Sequence, residues 1–231
     1  MQSSALKNRD DFFIVVYEFF EGLSKRPKLL IIAAVALVGG GFLIAHQVNH
    51  REAVQESAKS ALYAAQQAIE GKTPEKASPY QKIDVDSQYG DGIKKLATVA
   101  ENYPGTRASF EAVLQIGNLY YDHQSPEKAI LWFSKAADGA PAQLEKASAL
   151  SALGHAQENA GKFSDALQSY DKAINLGEGS LQGDLLLAKA RCEEALHDVA
   201  QARSTYDQIL AKLPETESSR IATILKNELT Q

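Results

Sequence analysis

The alternation of apolar and polar positions divides this chain into one long apolar run and a series of amphipathic helical segments. The run, Leu29–Ala45, contains 17 residues and no charged side chain. In an α-helix these residues would extend about 26 Å, near the lower limit for crossing a lipid bilayer. Because apolar positions continue to Val48, we predict a single N-terminal transmembrane helix over 29–48 in an all-α chain.

Charged residues around the run predict its orientation. Five basic residues precede it, the last three directly beside it: Lys7, Arg9, Lys25, Arg26 and Lys28. Since basic flanks are retained in the cytoplasm, residues 1–28 are expected there and the residues after the run across the membrane. A cleaved signal peptide is the rival interpretation, with small residues for cleavage at Gly39 and Gly41. The apolar run continues past Gly41, which favours an uncleaved anchor.

The segment before the run, Asp11–Leu23, is rich in aromatic residues and has one broad apolar helical face. It is too short to cross a bilayer alone. It fits a helix in the membrane interface, a docking helix for a membrane partner, or a hydrophobic lead-in to the span. The sequence leaves these three interpretations open.

A further helical pattern, Ala53–Ile69, follows the run and contains neither glycine nor proline. Residues 71–88 contain two prolines and mixed charges, so we predict an irregular connection there. Residues 49–88 are therefore predicted to form a linking helix and an insertion. The helix Ala53–Ile69 also serves as the displaced first helix of the repeat that begins after it.

Four segments then repeat at intervals of 37, 37 and 36 residues. A small residue recurs in each, at Gly92, Ala129, Ala166 and Ala202. A large residue follows each by four positions: Leu96, Phe133, Tyr170 and Tyr206. A second helix precedes the last three segments, with its own small residues at Gly117, Gly154 and Ala190. Small residues let helices approach closely, so the pattern predicts helical hairpins over 89–214 that stack to bury their apolar faces.

The last segment, 215–231, is predicted to form a capping helix from Glu217 to Leu229. Its apolar residues Ile221, Ile224 and Leu225 are expected to cover the last hairpin, because a stack of repeats needs a polar outer end.

The order of small, aromatic and proline residues is most complete in one hairpin, at Ile116, Gly117, Tyr120, Ala129, Phe133, Ala136 and Pro141. This order resembles the tetratricopeptide repeat, and the resemblance covers residues 89–214. Gln157 and Glu193 depart from it by replacing an expected aromatic residue, and Ala190 replaces the glycine. The resemblance implies an α-solenoid of hairpins that binds other proteins.

Charge and cysteine content exclude several classes of function. Residues 51–231 carry 19 basic and 25 acidic residues, a net charge of −6, and lack the positive field that nucleic-acid binding requires. Cys192 is the only cysteine, so no intrachain disulfide can form. We interpret it as a packed thiol rather than a nucleophile, because no histidine lies near it in the sequence.

The remaining candidates for chemistry have simpler interpretations. His46 and His50 are spaced for one helical face, but no glutamate between them completes a zinc motif, so we interpret them as interfacial polar residues. Gly39–Gly41 lies within the apolar run and lacks the Lys-Ser/Thr of a phosphate loop, which indicates close helix packing or a flexible point. We therefore predict a protein that is not an enzyme and binds no cofactor or metal.

Binding is then expected on the inner surface formed by the first helix of each hairpin. The candidate residues are Leu114, Asn118, Tyr121, Ser151, His155, Glu158, Leu187, Arg191 and Glu194. Some repeat proteins hold a peptide carboxylate with polar and basic residues at these sites. Only Asn118 matches that clamp, because Leu114, Ala152, Asp184 and Ala188 stand where it needs polar or basic groups, so we do not predict a clamp.

The whole layout, a short cytoplasmic segment, one membrane helix and an acidic repeat domain, resembles the ancillary subunit of the bacterial SecYEG translocon. The resemblance implies an inner-membrane adaptor with a periplasmic repeat domain. Its partners would be translocon subunits, periplasmic chaperones or exported chains. A scaffold for cell-envelope or outer-membrane assembly is the alternative, and association into a homo-oligomer is left open.

Overall fold

The computed structural model describes residues 27–70, 83–176 and 181–229, which are almost entirely helical and contain no strand. The helices are α1 (Pro27–Glu70), α2 (Val85–Asn102), α3 (Arg107–Asp122), α4 (Pro126–Asp138), α5 (Gln143–Asn159), α6 (Phe163–Leu176), α7 (Leu181–Ala195), α8 (Val199–Lys212) and α9 (Glu217–Glu228). The prediction of an all-α chain is confirmed for these residues. The aromatic segment Asp11–Leu23 lies outside them.

Contacts between residues divide the chain into two compact units, with the boundary between Ala53 and Val54 within α1. Before the boundary, α1 exposes large apolar side chains, such as Leu37 and Phe42. Across the three ranges described, no helix combines the length and apolarity needed to cross a membrane. The transmembrane helix predicted over 29–48 is not found among them and stays a prediction.

The second unit is a stack of helical hairpins. We number them hairpin 1 (residues 54–70 of α1, with α2), hairpin 2 (α3, α4), hairpin 3 (α5, α6) and hairpin 4 (α7, α8), followed by α9. From α2 to α9, each helix packs against the next one along the chain. The first helices of hairpins 3 and 4 also touch, since α5 contacts α7, and α7 contacts the terminal helix α9 as well. This arrangement is the solenoid-like fold that the repeat predicts.

The recurring small residues lie where the two helices of a hairpin meet. Ala129, Ala166 and Ala202 are fully buried. A Cβ atom built on Gly117 would lie 2.6 Å from Cδ1 of Phe133, and one built on Gly154 would lie 2.7 Å from Cδ1 of Tyr170. Glycine is needed at both positions because the aromatic ring of the second helix occupies the space of a side chain.

The turn inside each of hairpins 2 to 4 has the same backbone geometry. Gln124, Gly161 and His197 have φ angles of 56°, 71° and 61°, in the left-handed region. In hairpin 3, the N–H of Gly161 donates to the carbonyl of Glu158, and the next N–H donates to the carbonyl of Gln157. The other two turns repeat both bonds. This pair of bonds is the Schellman ending of a helix, and only hairpin 3 places glycine at its left-handed position.

Helix α2 begins at Val85, so residues 85–88 are helical where the sequence predicts an irregular connection. The Asp84 carboxylate accepts a hydrogen bond from the backbone N–H of Ser87 at 3.3 Å, which caps the helix. Val85 is buried at its first turn. Both prolines that suggest a loop precede Asp84, and they therefore do not restrict this helix.

Helix α9 packs on the last hairpin through a different face from the predicted one. Its buried residues are Ser218, Ser219 and Ala222. Leu225 packs against the core as predicted, but Ile221 and Ile224 are 37% and 59% exposed, so the prediction that they cover hairpin 4 is wrong. Small residues make the contact because Ser218 lies directly against Gly183 of α7, where no bulkier pair would fit.

Candidate protein-binding surface

The nine predicted partner-binding residues lie on α3, α5 and α7, and we call the side of these helices that carries them the first-helix face. Asn118 and Arg191 are exposed. Half-buried side chains make up most of the set: Leu114, Tyr121, Ser151, His155, Glu158 and Glu194. Leu187 is only 7% exposed and packs in the core of hairpin 4, so its side chain stabilises the fold rather than offering accessible surface.

Three of these residues form one polar cluster that links hairpin 3 to hairpin 4. Arg191 on α7 donates from Nε to Oε1 of Glu158 on α5 at 3.0 Å, and its second nitrogen contacts Oε2 at 3.3 Å. The Tyr170 hydroxyl donates to the same carboxylate at 2.8 Å, and Nδ1 of His155 lies 2.9 Å from that hydroxyl. The cluster therefore fixes the side chains at the centre of the first-helix face.

The cluster holds Glu158 in its ionised form. Burial alone would raise its pKa, but the hydrogen bonds from Arg191 and Tyr170, together with the His155 ring nitrogen 3.8 Å away, outweigh burial and lower the pKa to about 2. Burial, together with the charge of Glu158, raises the pKa of Tyr170 far above its ordinary range. At neutral pH the carboxylate therefore accepts, and the phenol donates, the hydrogen bonds that join them.

A second, weaker bridge crosses the face between hairpins 2 and 3. Arg107 donates to Glu111 on its own helix at 2.8 Å and lies 3.9 Å from a carboxylate oxygen of Glu145 on α5. The Arg107 side chain is 72% exposed, so solvent screens these pairs and they contribute little to stability.

The first-helix face is open between hairpins 1 and 2. Two overlapping cavities of about 340 and 450 Å³ lie between α1 and α3, and both are bordered by Glu56, Lys59, Leu62 and Glu111. At one end, the side-chain amide of Gln66 donates to that of Gln115 at 3.2 Å. The sequence already indicates Ala53–Ile69 as the first helix of this hairpin, but it does not indicate the gap, which depends on how far apart the two helices pack.

The two departures from the expected aromatic residue each have a partner on the facing helix. Ser169 donates to the side-chain oxygen of Gln157 at 2.7 Å, and Thr205 donates to Glu193 at 2.7 Å. Ser169 and Thr205 are buried and recur at the 36-residue spacing. Polar residues are tolerated inside these hairpins because each buried hydroxyl on the second helix faces a hydrogen-bond acceptor on the first helix. The sequence analysis missed this pairing, although the matched spacing could have indicated it.

The next residue of each first helix is also matched to the residue that it contacts on the second helix. In hairpin 2 the ring of Tyr121 packs against Phe133, with ring centres 6.3 Å apart. In hairpins 3 and 4 the equivalent residues are Glu158 and Glu194, and each accepts a hydrogen bond from the tyrosine that replaces the phenylalanine. Glu194 is thus tied to its own hairpin through Tyr206, whereas Glu158 also reaches Arg191 on the next one.

Residues considered for chemistry are not brought together by the fold. Cys192 is fully buried, as a packed thiol would be, and burial together with Glu158 raises its pKa to about 12. His46 stacks on Phe42 in α1. Among the residues that the structure describes, no three His, Cys, Asp or Glu side chains are placed to hold a metal ion. Asn118 is exposed, whereas Ala188, at one of the other clamp positions, is buried.

Comparison with family models gives one match, the tetratricopeptide repeat, over residues 151–216. This stretch runs from the middle of α5 to the residue that caps α9. Comparison with the curated proteins finds no match for the sequence.

Several solved structures match this chain at low sequence identity. A tetratricopeptide repeat protein from Parabacteroides merdae is 11% identical with a TM-score of 0.55, and the match covers 76% of this chain and 60% of that one. A putative kinesin light chain of Podosopora anserina with nearly identical repeats is 12% identical with a TM-score of 0.54, over 77% and 86% of the two chains. The first repeat domain of Spaghetti (RPAP3), solved with the HSP90 peptide SRMEEVD, is 19% identical with a TM-score of 0.44, over 53% and 93%.

At these identities the first two structures establish the fold, and the family match covers the second half of α5, α6 and hairpin 4. The spacing of small and aromatic residues extends the same unit to hairpin 2. The chain is therefore similar in fold to tetratricopeptide repeat proteins, and it matches their family model over residues 151–216.

Proposed function

We propose that this chain is a membrane-tethered adaptor of the bacterial inner membrane, in which the repeat unit binds other proteins. In this role it serves the Sec translocon as an accessory subunit and contacts periplasmic chaperones or exported chains. The observation that carries the proposal is an apolar stretch of α1 whose large described side chains are exposed, on the same chain as a stack of repeats that resemble protein-binding modules.

The tether is supported by the exposure of this stretch. Eight large apolar side chains are each between 63% and 77% exposed: Ile31, Ile32, Val35, Leu37, Val38, Phe42, Leu43 and Ile44. Contiguous apolar surface of this kind marks a site of contact with lipid or with another protein. The basic residues before it favour a cytoplasmic N-terminus, which supports a periplasmic position for the repeat unit.

The adaptor role is supported by the first-helix face. Its central cluster of Glu158, Arg191, His155 and Tyr170 is fixed by mutual hydrogen bonds, so a partner meets a surface that is already ordered. The cavities between α1 and α3 offer space for side chains of a partner, and α3 is one of the helices that form the first-helix face. A binding role needs only this shape and polarity, and the buried Cys192 supplies no reactive thiol.

Extraction of membranes tests the tether. We expect the full-length protein to stay with membranes in alkaline carbonate, and the double variant Leu37→Arg/Leu43→Arg to be released, because each arginine costs about 3 kcal/mol in a bilayer. The matched control, Ile221→Arg/Ile224→Arg, changes two exposed apolar residues of α9 and should stay with the membranes. Full-length protein in the soluble fraction would refute the tether.

Purification with partners tests the assignment to the translocon. Mild detergent extraction of the tagged full-length protein should recover translocon subunits, and the recovery should fall when α1 carries Leu37→Arg/Leu43→Arg. Recovery of outer-membrane assembly proteins without translocon subunits would instead identify a cell-envelope scaffold.

A further inference from the structure

A cavity of about 430 Å³ lies between hairpins 2 and 3, away from the first-helix face. It is bordered by the end of α4, the first turns of α5 and the last turns of α6. Its floor is apolar and consists of Ala137, Leu150 and Leu176. Lys146 and Lys172 stand at its rim with exposed side chains. An apolar floor with two cations at its edge is complementary to an apolar group next to a carboxylate.

The two lysines are available to a ligand. Within residues 27–70, 83–176 and 181–229, neither Lys146 nor Lys172 pairs with a carboxylate. Asp138 also borders the cavity, so the rim carries two positive groups and one negative group. This local excess of positive charge occurs in a chain whose residues after 50 carry a net charge of −6.

At the neighbouring junction of hairpins 1 and 2, the residues in register with these two lysines have partners within the protein. The residue in register with Lys146 is Ser109, whose hydroxyl donates to the carbonyl of Ala100 at 3.2 Å. The residue in register with Lys172 is Lys135, whose amine lies 4.3 Å from the ring centre of Trp132.

Hairpin 3 lacks both arrangements. Its residue in register with Trp132 is Ser169, which is buried and bonded to Gln157, so Lys172 has no ring beneath it. At the position of Ser109, hairpin 3 carries the exposed side chain of Lys146 in place of a hydroxyl. Repeat positions that are satisfied internally at one junction therefore carry, at the next, two ammonium groups that pair with no carboxylate among the residues the structure describes.

We propose that this cavity is a second binding site, which takes an acidic peptide segment of a partner protein. An apolar side chain of the segment enters the cavity, and flanking carboxylates pair with Lys146 and Lys172. Exposed ion pairs are individually weak, so the burial of the apolar side chain and the two pairs act together. The site uses a different side of α5 from Ser151 and His155, so it can be occupied together with the first-helix face.

Fluorescence anisotropy with the full-length protein in detergent tests the site. The probe is a fluorescein-labelled peptide of sequence Glu-Asp-Leu-Phe-Glu-Asp. Charge reversal in Lys146→Glu/Lys172→Glu should weaken binding by about tenfold or more. The control Lys95→Glu/Lys212→Glu changes the net charge equally at two exposed lysines elsewhere and should alter the affinity by less than about twofold.

Two further measurements distinguish binding in this cavity from nonspecific electrostatic attraction of the acidic peptide to the protein. A peptide with Ser-Ser in place of Leu-Phe should bind about tenfold more weakly, since it cannot fill the apolar floor. Asn175→Trp, at an exposed position of the cavity wall, should block the Leu-Phe peptide while leaving the circular dichroism spectrum unchanged.

Several results would overturn the proposal. These are no binding of the Leu-Phe peptide to the wild-type chain, equal weakening by both charge-reversed pairs, or equal affinity for the Ser-Ser peptide. Lysine-dependent binding to phosphatidylglycerol vesicles without peptide binding would assign the site to lipid and would also overturn it.

Discussion

Single residues decide how closely the two helices of each hairpin approach. Glycine is required at 117 and 154 because an aromatic ring of the second helix occupies the place of a Cβ atom. The Tyr170 ring cannot move away freely, since its hydroxyl is bonded to Glu158 and lies beside His155. The absence of a Cβ atom at Gly154 thus permits the close contact between α5 and α6 and the polar cluster that includes Tyr170.

We predict opposite effects for the same substitution at two helical glycines. Gly154→Ala should lower the free energy of unfolding by about 1–3 kcal/mol, because the new methyl group overlaps the Tyr170 ring. Gly90→Ala is the matched control, with no atom within 4 Å of the added Cβ, and should raise stability by up to about 1 kcal/mol through helix propensity. Chemical denaturation followed by circular dichroism measures both. An equal effect of the two changes would contradict the packing at Gly154.

The Glu158 cluster predicts a dependence of stability on pH. The folded pKa of about 2 lies below the ordinary value of 4.5, so the stabilisation is fully present above about pH 4.5 and is lost as the pH falls toward 2. Its upper bound is about 3 kcal/mol, from the size of the pKa shift. Glu158→Gln should remove this part of the pH dependence in thermal melts between pH 6 and 3.

Glu101→Gln, at an exposed position of α2, is the control for the pH measurement. It should leave the slope of stability against pH close to that of the wild-type chain. A Glu158→Gln variant that loses stability in parallel with the wild-type chain over this range would show that the cluster does not hold the carboxylate ionised.

At the scale of elements, hairpins 2 to 4 are closed by turns of the same backbone geometry that are built from different residues. The three Schellman turns share their hydrogen bonds and left-handed residue, yet the residue is Gln124, Gly161 or His197. A left-handed conformation costs a residue with a side chain about 1 kcal/mol relative to glycine. The helices on either side therefore hold two of the three turns in a conformation that their own sequence does not favour.

Substitutions in these turns should have opposite signs. We expect His197→Gly to raise the free energy of unfolding by up to about 1 kcal/mol and Gly161→Ala to lower it by about 1 kcal/mol. Both residues are exposed, so neither change alters core packing. Denaturation midpoints of the two variants measure the difference. Destabilisation by His197→Gly would mean that the histidine side chain stabilises the turn in another way.

The elements also show what the sequence can and cannot predict. Helical periodicity and the small-residue spacing predict hairpins 2 to 4, because each signal is carried by single positions with large packing effects. The start of α2 at Val85 is missed because prolines upstream dominate the pattern, whereas the decisive residue is the cap Asp84. The buried face of α9 is also missed, since apolarity favours Ile224 while the close approach at Gly183 selects small residues.

At the scale of the whole molecule, the candidate site is less predictable than the fold. The sequence predicts which helices form the first-helix face, because the repeat register aligns them. It does not predict that Glu158 meets Arg191, since that contact joins residues 33 positions apart and depends on how hairpins 3 and 4 stack. Nor does it show that Leu187 is buried while Asn118 is exposed.

The central claim is that a partner protein binds the first-helix face of a tethered repeat unit. Photo-crosslinking in native membranes tests it most directly, with a photoreactive amino acid at Asn118 or Ser151 of that face and, as control, at Ser204, which is exposed on α8 away from both proposed sites. We predict protein adducts from Asn118 and Ser151, and none from Ser204. Adducts of equal yield from all three positions, or adducts from Ser204 alone, would contradict binding at this face.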